Sequence, residues 1–162
     1  MKYFIGNWKM FGVPKSINIL HKINYFYSKD KNWGKYRVII TPPYTLIESY
    51  AKYFKKKKII IGSQNCYQKD QFSSNTAAIS PYMIRRVGAK YTLVGHSDNR
   101  SEGDTNEMLK NKVHFALKNN LKVVFCIGEN KKEKKNKKTF SVLKKQLSKV
   151  LEKKFNKNTV SY

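Results

Sequence analysis

Tyr91-Thr92-Leu93-Val94-Gly95-His96-Ser97-Asp98-Asn99-Arg100 is the stretch on which the fold turns. A short strand-type run ends at a glycine, and polar, ionisable residues follow. The same design stands upstream in Ile59-Ile60-Ile61-Gly62-Ser63-Gln64-Asn65 and downstream in Val123-Val124-Phe125-Cys126-Ile127-Gly128-Glu129. Further out lie Tyr3-Phe4-Ile5 and Val38-Ile39-Ile40, the latter closed by Thr41-Pro42-Pro43. Thr159-Val160-Ser161-Tyr162 reads as the start of a sixth strand. Runs that stay apolar, rather than alternating, mark strands of a parallel sheet covered on both faces.

Helical spacing fills the intervals. Ile17, Leu20, Ile23 and Phe26 recur every third residue, and Leu46, Tyr50 and Tyr53 follow the second strand. Met83, Ile84 and Val87 follow Ser80-Pro81, a natural N-cap and first-turn pair. Leu109, Val113 and Leu117 share a face after Asp104-Thr105, and Phe140, Leu143, Leu147, Val150 and Leu151 form the last stripe. Each stripe reads as core-facing. The chain is thus βα five times plus one β, with a period of roughly 30 residues. Such repeats give a parallel sheet with helices outside, either an open doubly wound sheet or a (β/α) barrel. No GxGxxG follows a strand, which weakens a dinucleotide-binding open sheet. Asn130 to Lys138 is polar throughout and reads as a loop or the exposed start of the last helix. No composition break divides residues 1–162, which read as one α/β domain.

The chain has 162 residues, with 34 Lys and Arg against 10 Asp and Glu, a net charge of +24. A hydrophobic content of 40% and an aromatic content of 14% exclude a disordered polycation. The short apolar runs exclude a coiled coil, and none approaches the ~20 residues that span a bilayer. Only Arg37, Arg85, Arg86 and Arg100 are arginines. Readers of nucleic acid favour arginine's planar fork, so the dispersed lysines read as solvated surface and no specific nucleic-acid partner is expected. Cys66 and Cys126 form no CxxC motif and have no histidine at ligand spacing. They read as buried reduced thiols, which with the absence of a signal-type N-terminus points to a cytoplasmic protein.

Parallel α/β folds place their chemistry at the C-terminal ends of strands. Asn7 and Lys9 follow the first strand, Gln64 and Asn65 the third, His96, Ser97 and Asp98 the fourth, and Glu129 the fifth. Lys9 offers fixed positive charge to an anionic substrate or a developing oxyanion. His96 offers a hydrogen bond to a substrate carbonyl. Asp98 and Glu129 are the nearby carboxylates, and each reads equally well as hydrogen-bonded scaffolding. There is no nucleophile elbow and no HExxH pair.

Gly6-Asn7-Trp8-Lys9-Met10 resembles the opening signature of the triosephosphate isomerase family. Gly62-Ser63-Gln64-Asn65-Cys66 followed by Ile79-Ser80-Pro81-Tyr82-Met83-Ile84 is similar to its third loop and helix. Val94-Gly95-His96-Ser97-Asp98-Asn99-Arg100 resembles its Gly-His-Ser-Glu-Arg-Arg segment, and Cys126-Ile127-Gly128-Glu129 matches its Cys-Ile-Gly-Glu. The resemblance implies a (β/α)8 TIM barrel, of which about five βα units and the start of the sixth strand are present. It implies interconversion of glyceraldehyde 3-phosphate and dihydroxyacetone phosphate in glycolysis and gluconeogenesis, in a homodimer with neither metal nor organic cofactor. Asn7 and Lys9 would bind substrate, and His96 would be the electrophile, kept neutral by the positive end of a short helix beginning near Ser97. The catalytic residues so implied are His96 and Lys9.

Three departures set further expectations. A whole barrel takes about 250 residues. The pattern here stops in a strand, and the family's catalytic glutamate follows a tyrosine like Tyr162. The chain therefore reads as a partial sequence. Residues 1–162 alone are expected to be inactive and not to form a soluble, well-packed monomer, with Ile5, Ile40, Ile61 and Leu93 short of inner-layer partners. Thr76-Ala77-Ala78 and Asn99 replace a Glu and an Arg that pair across the family's dimer, so neither charge is left without its partner. Asp98 replaces a glutamate that supports Lys9 and is one methylene shorter. The alternatives are a non-catalytic short relative or a basic nucleic-acid-binding α/β protein.

Overall fold

A computed structural model describes residues 1–151 and 159–161. Tyr162, the last residue of the expected sixth strand, lies outside the described residues. Six strands lie in the sheet in chain order: β1 (Lys2–Asn7), β2 (Tyr36–Thr41), β3 (Ile60–Ser63), β4 (Tyr91–Val94), β5 (Lys122–Phe125) and β6 (Thr159–Ser161). Every neighbouring pair is parallel. Parallel neighbours need a long crossover, and helices supply it. These are α1 (Ile17–Lys29), α2 (Tyr44–Phe54), α3 (Pro81–Arg86), α4 (Ser97–Ser101), α5 (Asn106–Lys118), α6 (Lys131–Lys135) and α7 (Thr139–Val150).

Helix starts follow local chemistry. Ser80 Oγ accepts the Met83 N–H at 3.2 Å with Pro81 in the first turn of α3. Thr105 Oγ1 accepts the Met108 N–H at 3.2 Å and opens α5. Asn130 and Glu133 exchange side-chain-to-backbone bonds of 2.8 Å, a capping box that makes a short helix of the polar run from Asn130.

Strand parity divides the apolar residues into two layers. Ile39, Tyr91, Leu93 and Val124, with Tyr3, Ile5 and Ile60 against them, fill the concave face. Ile40, Ile61, Val94, Val123 and Phe125 face the other way, into a core shared with Leu20, Tyr50, Ile84, Leu109 and Val113 of the helices. Ile5 and Leu93 are therefore inner-layer residues as expected, whereas Ile40 and Ile61 are not. Successive side chains alternate faces, and a run of three isoleucines hides which parity points inward. The register settles it, because Ile5 is opposite Ile39 and Ile39 is opposite Ile60.

The helical stripes are corrected in the same way. Phe26 is 72% exposed and Tyr27 takes its place in the core. A three-residue step falls about 60° short of a full turn, so Phe26 has drifted to the face opposite Ile17, while Tyr27 lies seven residues from Leu20 and nearly above it. Tyr53, Met83 and Phe140 are likewise exposed at the edges of their stripes, and Ile47 and Phe54 complete the buried face of α2. Leu20→Ala is expected to lower the free energy of unfolding by about 2–5 kcal/mol. Phe26→Ala should cost about 1 kcal/mol or less. Urea unfolding of the two variants against the parent checks the assignment of the α1 face.

Candidate active site

All C-terminal strand ends share one rim, and the polar residues that follow them meet there. Asn7, Lys9, Gln64, Asn65, His96 and Asp98 line one cleft of about 500 Å3. It is within the size range of small-molecule sites. The three residues that the resemblance implies, Asn7, Lys9 and His96, are thus brought together.

The first loop is held in an unusual backbone shape. Lys9 has φ 51°, left-handed for a side-chain-bearing residue and costly by roughly 1–2 kcal/mol. Two contacts fix it. Its N–H donates to Asn7 Oδ1 at 2.9 Å. The Gln64 amide nitrogen donates to the carbonyls of Lys9 at 2.7 Å and Thr41 at 3.0 Å. Both acceptors are carbonyl oxygens, which requires the NH2 end of Gln64 to face them. Gln64 was a strand-end residue without a role in the sequence reading. The turn sends the Lys9 ammonium to 3.2 Å from Asp98 Oδ2. The shorter Asp98 side chain therefore spans the distance.

His96 is the N-cap of α4, and its Nδ1 accepts the Asp98 N–H at 3.2 Å. Asp98 Oδ2 also stands 3.6 Å from Nδ1, beyond hydrogen-bond range. An Nδ1 that accepts this N–H leaves Nε2 as the ring nitrogen able to donate. Hydrogen bonding from Lys9 is the largest influence on Asp98 and holds its carboxyl below the ordinary carboxylate range. A depressed carboxylate is a weak base, so Asp98 serves to hold Lys9 rather than to take a proton.

Behind the imidazole, Arg100 ties two strands together. Its Nε donates to Gly95 O at 2.7 Å and a terminal nitrogen donates to Cys126 O at 3.1 Å. Gly95 has φ 79°, and a Cβ there would come 2.9 Å from the guanidinium. The positive φ is what calls for glycine, since the arginine tip can shift. Glu129 lies in an adjoining cleft that His96 also borders, and its Oε1 accepts the Thr139 hydroxyl at 3.2 Å. That contact joins the loop after β5 to α7.

The sequence reading missed a buried ion pair beneath the cleft. The Lys112 ammonium lies 2.7 Å from each Asp104 oxygen and donates to Asn65 Oδ1 at 3.1 Å. Its side chain is 5% exposed and that of Asp104 8%. The available signal was a lysine at helical spacing from Leu109 on the apolar face of α5. Cys66 is buried here too, and desolvation pushes its thiol up to about 12, which keeps it protonated. Among the described residues, no group of three or more His, Cys, Asp or Glu is placed to hold a metal ion.

The family model described as "Triosephosphate isomerase" matches residues 2–162. The chain belongs to the triosephosphate isomerase family. It is 33% identical over 145 residues to "Triosephosphate isomerase" of Leptospira interrogans serovar copenhageni, which covers 88% of this chain and 56% of that relative. It is 30% identical over 147 residues to the protein of the same name from Thermodesulfovibrio yellowstonii, with 90% of this chain and 58% of that one covered. The solved triosephosphate isomerase of Bartonella henselae superposes with a TM-score of 0.91 at 28% identity, over 99% of this chain and 66% of that chain. The chain thus spans a little over half the length of these curated relatives. The six-stranded parallel unit described above is part of a (β/α)8 TIM barrel.

Two outcomes are expected. Because the folded pKa of Asp98 is depressed, its contribution to stability is complete above the unfolded value near 4 and is lost as pH falls through the lower folded value. Lys9→Met should move that titration back up toward the ordinary carboxylate range, as followed by carboxyl carbon NMR. Asp104→Ala strands the Lys112 ammonium in the interior and should destabilise the chain by about 3–5 kcal/mol in urea unfolding.

Proposed function

We propose that the cleft is the substrate-binding half of a triose-phosphate isomerase site, which interconverts D-glyceraldehyde 3-phosphate and dihydroxyacetone phosphate. The observation that carries the reading is the Asp98 N–H donated to His96 Nδ1, which leaves an Nε2–H donor on the rim shared with Lys9.

The reaction removes a proton from the carbon beside a carbonyl and returns it to the neighbouring carbon. Its transition state carries enediolate charge on the two oxygens. His96 Nε2–H donates to the substrate oxygens and passes protons between them as a neutral electrophile. The Lys9 ammonium, fixed by Asp98, offsets the phosphate and the developing charge. Asn7 fixes the Lys9 turn and binds substrate beside it. The base for the carbon-bound proton is assigned to none of the described residues. No cofactor enters this chemistry, since proton transfer and charge stabilisation suffice.

We assign the enzyme to the glycolytic and gluconeogenic interconversion in the cytoplasm. No helix among the described residues is long and apolar enough to cross a membrane. We also propose a homodimer. Met10, Phe11 and Val13 are 94%, 76% and 62% exposed next to the cleft, an apolar patch that suits a protein partner. Ala78 and Asn99 are both uncharged, so a self-contact there buries no unpaired ion.

In an isomerase barrel built on these residues, His96→Gln should reduce kcat by ~10²–10⁴-fold, the usual worth of positioned acid–base groups. Lys9→Met should lower kcat and weaken substrate binding together. A coupled assay reads both. A His96→Gln rate within about threefold of the parent contradicts the assignment.

A further inference from the structure

A further cleft lies at the opposite rim from His96. It lies where β3 begins and where α2 and α3 end, with a volume of about 490 Å3. Its floor is apolar, from Ala51, Phe54, Ile59 and Val87. Around that floor stand Lys52, Lys55, Lys57, Arg86 and Lys90, with Glu48 as the single acid. Glu48 is occupied, its carboxylate 2.7 Å from the Lys52 ammonium. Lys55, Arg86 and Lys90 have no acidic partner among the described residues.

A bland account is available for part of this charge. Lys52, Lys55 and Arg86 stand at the C-terminal ends of α2 and α3, where the helix carbonyls favour cations. That effect fades beyond the last turn. It does not reach Lys57, which is held 3.8 Å over the Tyr53 ring, or Lys90, which precedes β4. The backbone of Lys90 is pinned in the sheet, donating to Ile61 O and accepting from the Lys122 N–H, both at 2.9 Å. Partial burial, and then repulsion from Arg85 and Lys55, lower its pKa. Lys90 thus lies close to two other cations, Arg85 and Lys55.

Gly88 has φ 100°, and a Cβ on it would come 2.8 Å from the Ala51 Cβ, so the turn after α3 lies close against α2 at one wall of the cleft.

We infer that this cleft binds a small soluble ligand carrying linked phosphates, such as a nucleoside triphosphate or inorganic polyphosphate. Several linked phosphates supply the three or more negative charges that Lys55, Lys57, Arg86 and Lys90 lack. The volume falls in the ~300–1,000 Å3 range of small-ligand sites. The apolar floor accommodates the non-ionic part of a nucleoside triphosphate. The site is independent of the isomerase reading, because the strands separate it from the cleft that holds His96.

The test is titration of an isomerase barrel built on these residues with inorganic tripolyphosphate by isothermal calorimetry, with orthophosphate and a single-stranded oligouridylate as comparison probes. Saturable binding of tripolyphosphate, tighter than orthophosphate, is expected. The double variant Lys55→Gln, Lys90→Gln should weaken it about tenfold, as the loss of charge-assisted contacts does. Lys131→Gln, Lys132→Gln on α6 should leave it within about twofold, and Lys55→Arg, Lys90→Arg should retain it. Far-UV circular dichroism confirms that each variant keeps the parent's structure. No saturable binding, or equal weakening by the α6 pair, overturns the site in favour of diffuse charge. Tighter binding of the oligouridylate with the same dependence on Lys55 and Lys90 overturns the small-ligand assignment.

Discussion

Parallel pairing is the constraint from which the rest follows. Each strand from β1 to β6 runs in the same direction as its neighbour, so each connection must return along the outside. That single requirement sorts the molecule into two rims. One rim collects the C-terminal ends of the strands and the loops that follow them. The other collects the C-terminal ends of the helices. Asn7, Lys9, Gln64 and His96 are far apart in the chain and meet because they occupy equivalent places in successive units. Lys55, Arg86 and Lys90 meet at the other rim for the same reason.

The upper rim is then tuned by short-range bonds. The left-handed turn at Lys9 persists because Asn7 and Gln64 satisfy its N–H and its carbonyl. The imidazole is held in one tautomer because α4 begins on it and lends it a backbone N–H. Asp98 supplies both that N–H and the carboxylate that holds Lys9, so one residue sets the geometry of two. Beneath them, Lys112 and Asp104 place a rigid, fully paired charge under Asn65. The interior offers little solvent, so each of these groups is worth most when its partner is fixed in advance.

The succession of βα units was legible in the sequence because each level of signal agreed. Apolar runs gave strands, spacing gave helices, and Ser80 and Thr105 marked where two helices start. The site was legible at the level of its rim, since Asn7, Lys9 and His96 all follow strands. Its internal wiring was not. Gln64 stood in the right place, but nothing local says that its amide spans to Lys9 and Thr41. Lys112 stood on an apolar helical face, but its partner Asp104 is recognised only when α5 docks.

What the sequence determined by itself was therefore periodic or local: the repeat, the parallel class, the caps and the residues at strand ends. These depend on bonding along the chain and on a repeat that can be counted. Tertiary structure decided the rest. It decided that Ile39 rather than Ile40, and Ile60 rather than Ile61, fill the concave face. Strand parity is invisible in a uniformly apolar run and is fixed only by the neighbour's register. It decided that Tyr27 and not Phe26 is buried, because docking selects one arc of the helix. It set Arg86 and Lys90 beside the run from Lys52 to Lys57 in one cleft, because helix ends separated along the chain converge when the sheet curves.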